Sequence, residues 1–272
     1  MARLARAAAL VVTSALLAAT AACAADQAPP PPAPGNSVGT TVTASPGPTL
    51  PPVGAECPDQ AQRGRPIRLT NGAGLSLAAV ELGTGTAGVV LAHQSDGSLC
   101  EWLPYGTALA AKGFHVLAFD FAGSGSSSMP KQKTYVEDLR TAVTYLRGQG
   151  ATKVVIIGAS MGATMSVVAA AAIAPPVDGV IALSPPLNFD GINAEKAAPS
   201  LKTSALFIAS EMDGDYPSYA KSIESATPVE FRELVIVTGA QHGVALVDAE
   251  VQSAVVVRIA MEQFLALHAP VS

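Results

Sequence analysis

Short apolar, mostly β-branched runs alternate with longer helical stretches along most of this chain, and this alternation constrains the fold more than any other feature. The runs in chain order are GVVLAHQ, FHVLAFD, KVVIIGAS, GVIALS, ALFIAS and ELVIVTG. Strands that are apolar along their whole length are typical of a sheet covered on both faces. Strand, helix and strand in regular alternation predict a parallel sheet with right-handed crossovers.

Two further strand candidates precede this pattern, near PIRLTN and LSLAAVELG. The GAG between them predicts a hairpin on one edge of the sheet. We therefore expect an α/β fold, with a mostly parallel, twisted sheet of about eight strands and helices on both faces. The sequence has no internal repeat and no second linker after residue 57. Residues 57–272 are predicted to form one domain.

One apolar run ends at a serine between two glycines. In KVVIIGASMGATM, Gly158 and Gly162 stand two residues either side of Ser160, where the strand pattern stops and a helical pattern starts. Such a tight turn has no room for side chains at the glycine positions, and it leaves the serine strained with its hydroxyl projecting. Ligands of parallel sheets gather at the carboxyl ends of strands. Ser160 is therefore the candidate nucleophile, and a serine that simply caps the helix is the alternative.

A serine nucleophile needs a general base, which is usually a histidine. His242 is the candidate because it follows the last strand and precedes the last helix, on the same edge of the sheet as the serine. His115 lies inside a strand run and His268 lies close to the C-terminus. His93 follows a strand but precedes the serine in the chain.

A carboxylate should orient the base. Three acidic residues follow the strand ALFIAS in quick succession: Glu211, Asp213 and Asp215. Acidic residues at such positions are often turn formers or helix caps. Here we predict that Asp213 is the acid, with Asp215 as the second candidate and Asp190, in the preceding loop, as the third.

The order of these residues, nucleophile then acid then histidine, resembles that of the α/β-hydrolase superfamily. FDFAGSGSS from Phe119 is similar to the D-x-x-G-x-G-x-S turn after the fourth strand of that family, SEMDG resembles its acid loop and GAQHG resembles its histidine loop. The resemblance covers residues 65–268. It implies the α/β-hydrolase fold, in a small serine esterase similar to dienelactone hydrolases and without a full cap domain.

The resemblance also assigns an oxyanion hole. The family commonly has His-Gly after its third strand, followed by a residue whose backbone amide binds the oxyanion. This chain has LAHQSDGS, so that Gln94 stands in the place of the glycine. The resemblance therefore assigns one donor to the backbone amide of Met161 and the other to that of Ser95, with Gln94 as the alternative to Ser95.

These residues predict a serine hydrolase that cleaves carboxylic esters or thioesters through an acyl-enzyme intermediate. The loop of residues 185–204 is too short for a full cap. We therefore expect an open cleft, with Leu187 and Phe189 as candidate lining residues, for small esters or for acyl groups on a lipid or envelope polymer. A peptidase or amidase on the same fold and a non-catalytic binding protein are the alternatives.

Charge and residue spacing argue against several other functions. The formal net charge is −5, charged residues make up 14% of the chain, and no basic run follows the extreme N-terminus. Nucleic acid is therefore not an expected partner. The four histidines lack metal-ligand spacing, and the glycines of GSGSS do not open a dinucleotide-binding helix. We expect no metal and no cofactor.

The N-terminal segment indicates export. In residues 1–23, Arg3 and Arg6 precede an apolar stretch that is too short for a bilayer span, which is the layout of a secretory signal. TAAC resembles a bacterial lipobox with Thr20 in place of the usual leucine, and the resemblance implies diacylation of Cys23. We predict an extracytoplasmic protein that is anchored to the cell membrane by lipid. Cleavage at an Ala-x-Ala site and secretion are the alternative.

The next segment and the remaining cysteines fit an exported chain. Residues 24–56 are rich in proline, glycine, serine and threonine and are predicted to be a disordered linker. Besides Cys23 the chain contains Cys57 and Cys100. We predict that these two form a disulfide in an oxidising compartment, and two separate buried thiols are the alternative.

Overall fold

The computed structural model describes residues 49–228, 230, 232–248 and 250–271. The predicted signal segment, the lipobox cysteine Cys23 and the linker up to residue 48 lie outside the described residues. Among the described helices, none has both the length and the apolar character that a membrane span requires.

Eight strands form one sheet in the described part of the chain. They are β1 (Arg65–Thr70), β2 (Ser76–Leu82), β3 (Ala87–Ala92), β4 (His115–Phe119), β5 (Lys153–Ala159), β6 (Gly179–Leu183), β9 (Ser204–Ser210) and β10 (Arg232–Val237). Their spatial order is β1-β2-β4-β3-β5-β6-β9-β10. Only the pairs β1–β2 and β2–β4 are antiparallel. The predicted mostly parallel sheet, with a hairpin on one edge, is confirmed.

Helices connect these strands. They are α1 (Pro58–Ala61), α2 (Leu103–Ala111), α3 (Tyr135–Gly148), α4 (Met161–Ala172), α5 (Ala194–Ala197), α6 (Tyr216–Ala226) and α7 (Ala254–His268). In the described residues, 3-10 helices span Leu99–Trp102, Ala198–Ser200 and Gly243–Val247. Two short strands, β7 (Asn188–Phe189) and β8 (Ile192–Asn193), form a separate hairpin in the connection from β6 to β9.

The core has two halves, one on each face of the sheet. Helices α3, α4 and α6 pack on one face, and α2 and α7 pack on the other. Successive strand residues point to opposite faces, so that in β3 Val90 packs in one half and Val89 and Leu91 pack in the other. This two-sided burial explains why the central strands are apolar at every position.

A disulfide joins Cys57 to Cys100, with the two Cα atoms 5.8 Å apart. It connects the start of α1 to the 3-10 helix that follows β3. Nearby residues of the predicted linker also contact the domain, because the hydroxyl of Ser126 donates to the Pro52 carbonyl at 2.7 Å and that of Ser98 donates to the Glu56 carboxylate at 2.8 Å. The chain just before residue 57 is thus held against the domain.

The parallel strands β3, β5, β6, β9 and β10 all end at the same edge of the sheet. Residues that directly follow these strands are therefore brought together, although they are far apart in the sequence. This edge carries the candidate residues.

Candidate active site

Ser160 connects β5 directly to α4. Its φ of 48° and ψ of −116° are a combination that side chains rarely adopt, and such strain is found where function requires it. Its backbone N–H donates to the Leu183 carbonyl at 2.8 Å, which ties the turn to β6. Ser160 is the residue before the first turn of α4, with Met161 as the first helical residue.

The two flanking glycines let the backbone pass through this turn. A Cβ on Gly158 would overlap the carbonyl of Gly162, and a Cβ on Gly162 would overlap the carbonyls of Ala92 and His93. The missing side chains thus allow the first turn of α4 to approach both β5 and the end of β3. Without that approach the serine and the loop after β3 would be held apart.

His242 and Asp213 form a hydrogen-bonded pair at this edge. The Nδ1 atom of His242 lies 2.9 Å from Oδ2 and 3.1 Å from Oδ1 of Asp213, whose side chain is buried. The histidine loop reaches the nucleophile turn, because a Cβ on Gly243 would lie 3.5 Å from the Cβ of Ala159. Gly243 and Ala159, the chain neighbours of His242 and Ser160, are therefore within contact distance of each other.

The other candidate acids have different partners. Asp215 precedes α6, and its exposed carboxylate accepts a hydrogen bond from the Tyr219 hydroxyl at 3.3 Å. Asp190 accepts one from the Tyr135 hydroxyl at 3.0 Å. Of the three aspartates that the sequence offers, the structure brings Asp213 to the imidazole of His242.

Sequence reasoning missed Ser184, which follows β6 directly. Its buried hydroxyl donates to Oδ2 of Asp213 at 2.8 Å and accepts from the backbone N–H of Gly243 at 3.1 Å. Ser184 therefore holds the acid and the histidine loop at once. Its position at the end of a strand, in ALSPP, was the available signal, but many serines of this chain lie near strand ends.

Tyr216, the first residue of α6, was also missed. Its ring packs against the imidazole of His242, with the ring centroids 4.3 Å apart and the planes at 57°. This contact restricts the imidazole in addition to the Asp213 hydrogen bond. Nothing in the sequence distinguished Tyr216 from other helix-starting residues.

The loop after β3 is held at Gln94. The backbone N–H of Gln94 donates to Oε1 of Glu101 at 2.8 Å, and its side-chain Oε1 accepts from the N–H of Val244 at 3.2 Å. The amide of Gln94 is thus already engaged, whereas that of Ser95 has no acceptor among the described residues. Ser95 and Met161 line the same cavity. Of the two sequence candidates, Ser95 has the amide that is free to bind an oxyanion.

Glu101 is the acceptor that positions this loop. Burial raises the pKa of its carboxyl to about 7, while the hydrogen bond from Gln94 acts in the opposite direction. A Cβ on Gly97 would lie 2.5 Å from Oε2 of Glu101, so that the loop passes directly over the carboxyl group. The glycine leaves room for this close approach.

The remaining histidines have structural contacts. His93 is fully buried, and its Nε2 accepts from the N–H of Phe121 at 3.0 Å, so its Nδ1–H donates to the Gln94 carbonyl at 2.8 Å. Burial lowers the pKa of His93 to about 4, so it stays neutral near pH 7. His115 is buried 2.6 Å from Glu81, and the ring of His268 packs on Phe264.

Within the described ranges, no group of three or more His, Cys, Asp or Glu side chains is placed to hold a metal ion. The groups that this edge of the sheet presents are a serine, an imidazole, a carboxylate and backbone amides. A histidine that is oriented by a buried carboxylate, on the same edge of the sheet as a strained serine, is the arrangement from which acyl transfer can be proposed.

Comparisons with known proteins agree with this architecture. The structure of an esterase from Pyrococcus furiosus superposes with a TM-score of 0.64 at 18% identity, over 78% of this chain and 93% of that chain. A monoacylglycerol lipase of Paleococcus ferrophilus gives 0.60 at 18%, over 71% and 99%. Est1E from Butyrivibrio proteoclasticus, solved with ferulic acid, gives 0.62 at 16%, over 74% and 98%. At these identities the likeness concerns the fold.

A search of curated protein sequences finds no match. The family model described as serine aminopeptidase, S33, matches residues 86–222, which is just over half of the chain. The match includes the nucleophile turn, the loop after β3 and the acid loop. Together with the fold, it confirms the resemblance that the sequence motifs carry. The chain therefore belongs to the serine aminopeptidase S33 family of the α/β-hydrolase superfamily.

Proposed function

We propose that this hydrolase cleaves carboxylic esters or thioesters through an acyl-enzyme intermediate on Ser160. The observation that carries the proposal is the hydrogen bond from Nδ1 of His242 to the buried carboxylate of Asp213. With the proton held on Nδ1, the Nε2 atom keeps its lone pair and can accept a proton. Ser184 and Tyr216 support this orientation of the imidazole.

In the proposed reaction the hydroxyl of Ser160 attacks the substrate carbonyl while His242 takes its proton. The tetrahedral oxyanion is stabilised by the backbone amides of Met161 and Ser95, each worth roughly 3 kcal/mol in the transition state. His242 then returns the proton to the leaving group, and a water molecule repeats the sequence on the acyl-enzyme. Asp213 keeps its hydrogen bond to Nδ1 and stabilises the imidazolium.

Amide hydrolysis is the second candidate function, and the family description is the observation that favours it, since it names an aminopeptidase. The three solved neighbours described above are instead an esterase, a lipase and a protein solved with ferulic acid. Matched 4-nitrophenyl esters and 4-nitroanilides of the same acyl groups separate the two activities. We expect hydrolysis of the esters, and faster release from the anilides would identify an amidase.

A fluorophosphonate probe tests the nucleophile directly. We expect the parent protein to gain one phosphonyl group, and peptide mass spectrometry to locate it on Ser160, because an activated serine attacks the probe phosphorus. The Ser160→Ala variant is the control and should remain unmodified. If the parent stays unlabelled while a known serine esterase is labelled in the same reaction, the proposed mechanism is wrong.

Removing the acceptor under the oxyanion loop should slow catalysis. We expect Glu101→Ala to lower kcat about 10- to 100-fold with little change in KM, because the Gln94 amide loses its acceptor and the Ser95 amide is no longer aimed at the oxyanion. Glu101→Gln keeps an acceptor of the same size and should retain most of the activity.

Steady-state kinetics and an unfolding curve for each variant check this prediction. Glu262→Ala, which removes a glutamate from a surface ion pair with Lys112, is the matched control and should leave kcat unchanged. Equal kcat values for Glu101→Ala and the parent would contradict a positioning role for Glu101.

We also propose that the chain is exported and lipid-anchored through Cys23, with secretion as the alternative. The disulfide between Cys57 and Cys100 supports an oxidising compartment, because cytosolic thiols are kept reduced.

A further inference from the structure

A cavity of about 340 Å³ opens beside the candidate oxyanion donors. Ser95 and Met161 both line it, so a carbonyl oxygen that is bound by their amides would lie at its wall. Apart from Met161 and Phe189, the lining residues are polar, charged or glycine. This volume lies near the lower end of the range for pockets that bind drug-sized ligands, which begins at roughly 300 Å³. The cavity therefore suits a small chemical group.

The general base does not line this cavity, since His242 is absent from its described lining residues. The loops after β3 and β4 line the cavity through Ser95 and the glycines Gly123 and Gly125, and both strands lie on one side of β5. Phe189 and Asp190, from the connection after β6, close the cavity from the other side. His242 follows β10, which lies on the other side of β5. The proton of His242 must reach the leaving-group oxygen. The leaving group therefore departs toward His242, and the cavity that His242 does not line is left for the acyl group.

We propose that this cavity binds the acyl part of the substrate, and that this acyl part is short, uncharged and hydroxylated rather than a hydrocarbon chain. The inference rests on the proposed function. A hydrocarbon chain that displaced water from these polar walls would leave their groups without hydrogen-bond partners, which is costly. A hydroxylated group replaces the lost water with hydrogen bonds of its own.

Three side chains form the polar wall of the cavity. The hydroxyl of Tyr135 donates to Oδ2 of Asp190 at 3.0 Å, and Nζ of Lys133 lies 3.6 Å from the same oxygen and 5.3 Å from the centre of the Tyr135 ring. The Tyr135 ring is held in turn between Phe121 and Phe189, at centroid distances of 5.5 Å and 6.5 Å. Tyr135 thus holds Oδ2 of Asp190, while Oδ1 of Asp190 and the Lys133 ammonium belong to side chains that are 44% and 60% exposed and are open to a ligand.

The charges around the cavity disfavour an anionic acyl group. Glu56, Asp96 and Asp190 are carboxylates of its lining, and Lys133 is its one ammonium group among the described lining residues. That ammonium is already paired with Asp190. A substrate carboxylate would therefore meet an excess of like charge.

Five methyl esters test the proposal in a pH-stat assay with the full-length protein: butyrate, the two enantiomers of 3-hydroxybutyrate, octanoate and monomethyl glutarate. We expect the better 3-hydroxybutyrate enantiomer to exceed butyrate in kcat/KM by at least about 10-fold, because a site built to hydrogen-bond a hydroxyl discriminates against its absence. Octanoate should not exceed butyrate, and glutarate should fall below it by about 10-fold. Octanoate as the best substrate, or no gain from either hydroxyl, would overturn the proposal.

Variants connect the selectivity to Asp190. Asp190→Leu removes the acceptor and should abolish the preference for the hydroxylated ester. Asp190→Asn keeps an acceptor and should retain this preference. Because it also removes a negative charge, Asp190→Asn should reduce the difference in kcat/KM between butyrate and monomethyl glutarate. Asp59→Leu, on the exposed surface of α1, is the control and should leave the selectivity unchanged. Unchanged selectivity in Asp190→Leu would contradict the assigned wall, and unfolding temperatures identify any variant that fails to fold.

The labelling reaction distinguishes failure of this inference from failure of the proposed function. If the parent takes no fluorophosphonate label and hydrolyses none of the esters, the proposed function is wrong. If the parent is labelled on Ser160 but prefers octanoate, or hydrolyses none of the five esters, only the assignment of the acyl group is wrong.

Discussion

Asp213→Asn should lower kcat for ester hydrolysis by about 10⁴-fold. The carboxylate of Asp213 accepts hydrogen bonds from Nδ1 of His242 at 2.9 Å and from the hydroxyl of Ser184 at 2.8 Å. An asparagine amide that faced the imidazole would favour the tautomer with its proton on Nε2, and Nε2 could then no longer accept the proton of Ser160. Substrate binding does not involve this pair, so KM should change little.

Asp215→Asn is the matched control for this experiment. Asp215 lies two residues further on, its side chain is exposed, and its carboxylate contacts the Tyr219 hydroxyl rather than His242. We expect its kcat to stay within about 2-fold of the parent value, as for surface substitutions away from a site. The reverse outcome, a large loss in Asp215→Asn and a small one in Asp213→Asn, would identify Asp215 as the acid.

Removing the disulfide is expected to have the largest effect on stability. In the double variant Cys57→Ser, Cys100→Ser the unfolded chain is no longer closed between positions that are 43 residues apart, and the entropy model predicts a loss of roughly 4 kcal/mol in the free energy of unfolding. For a domain of this size each kcal/mol shifts Tm by roughly 2 to 4 °C, which gives a decrease of about 8 to 16 °C.

Thermal and urea unfolding with and without a reductant measure this effect. The parent protein should lose stability when the reductant is added, whereas the double variant should be insensitive to it, which makes the reductant an internal control. The disulfide also anchors the 3-10 helix that contains Glu101. We therefore also expect a decrease in kcat, smaller than that of Glu101→Ala. Equal unfolding temperatures for the parent and the double variant would contradict a stabilising role.

The sequence determined the fold of this protein because the relevant patterns are local. Apolar strands that alternate with helices require a two-sided sheet, and the hairpin at PIRLTN and LSLAAVELG sets its edge. The same logic located Ser160, since a tight strand-to-helix turn must have glycines at fixed positions two residues either side. Each of these signals lies within a window of a few residues to a few tens of residues.

Which residues at this edge of the sheet form hydrogen bonds with one another could be read only from the tertiary structure. The sequence favoured Asp213 over Asp215 but left Asp215 open, because both follow β9 and the choice depends on which carboxylate points toward a loop that follows another strand. Nor could it show that the Gln94 amide is taken by Glu101, or that Ser184 bonds to Asp213 and to Gly243. Periodicity and turn chemistry are set by neighbours along the chain, whereas hydrogen bonds between loops depend on the relative placement of strands that only the assembled sheet fixes.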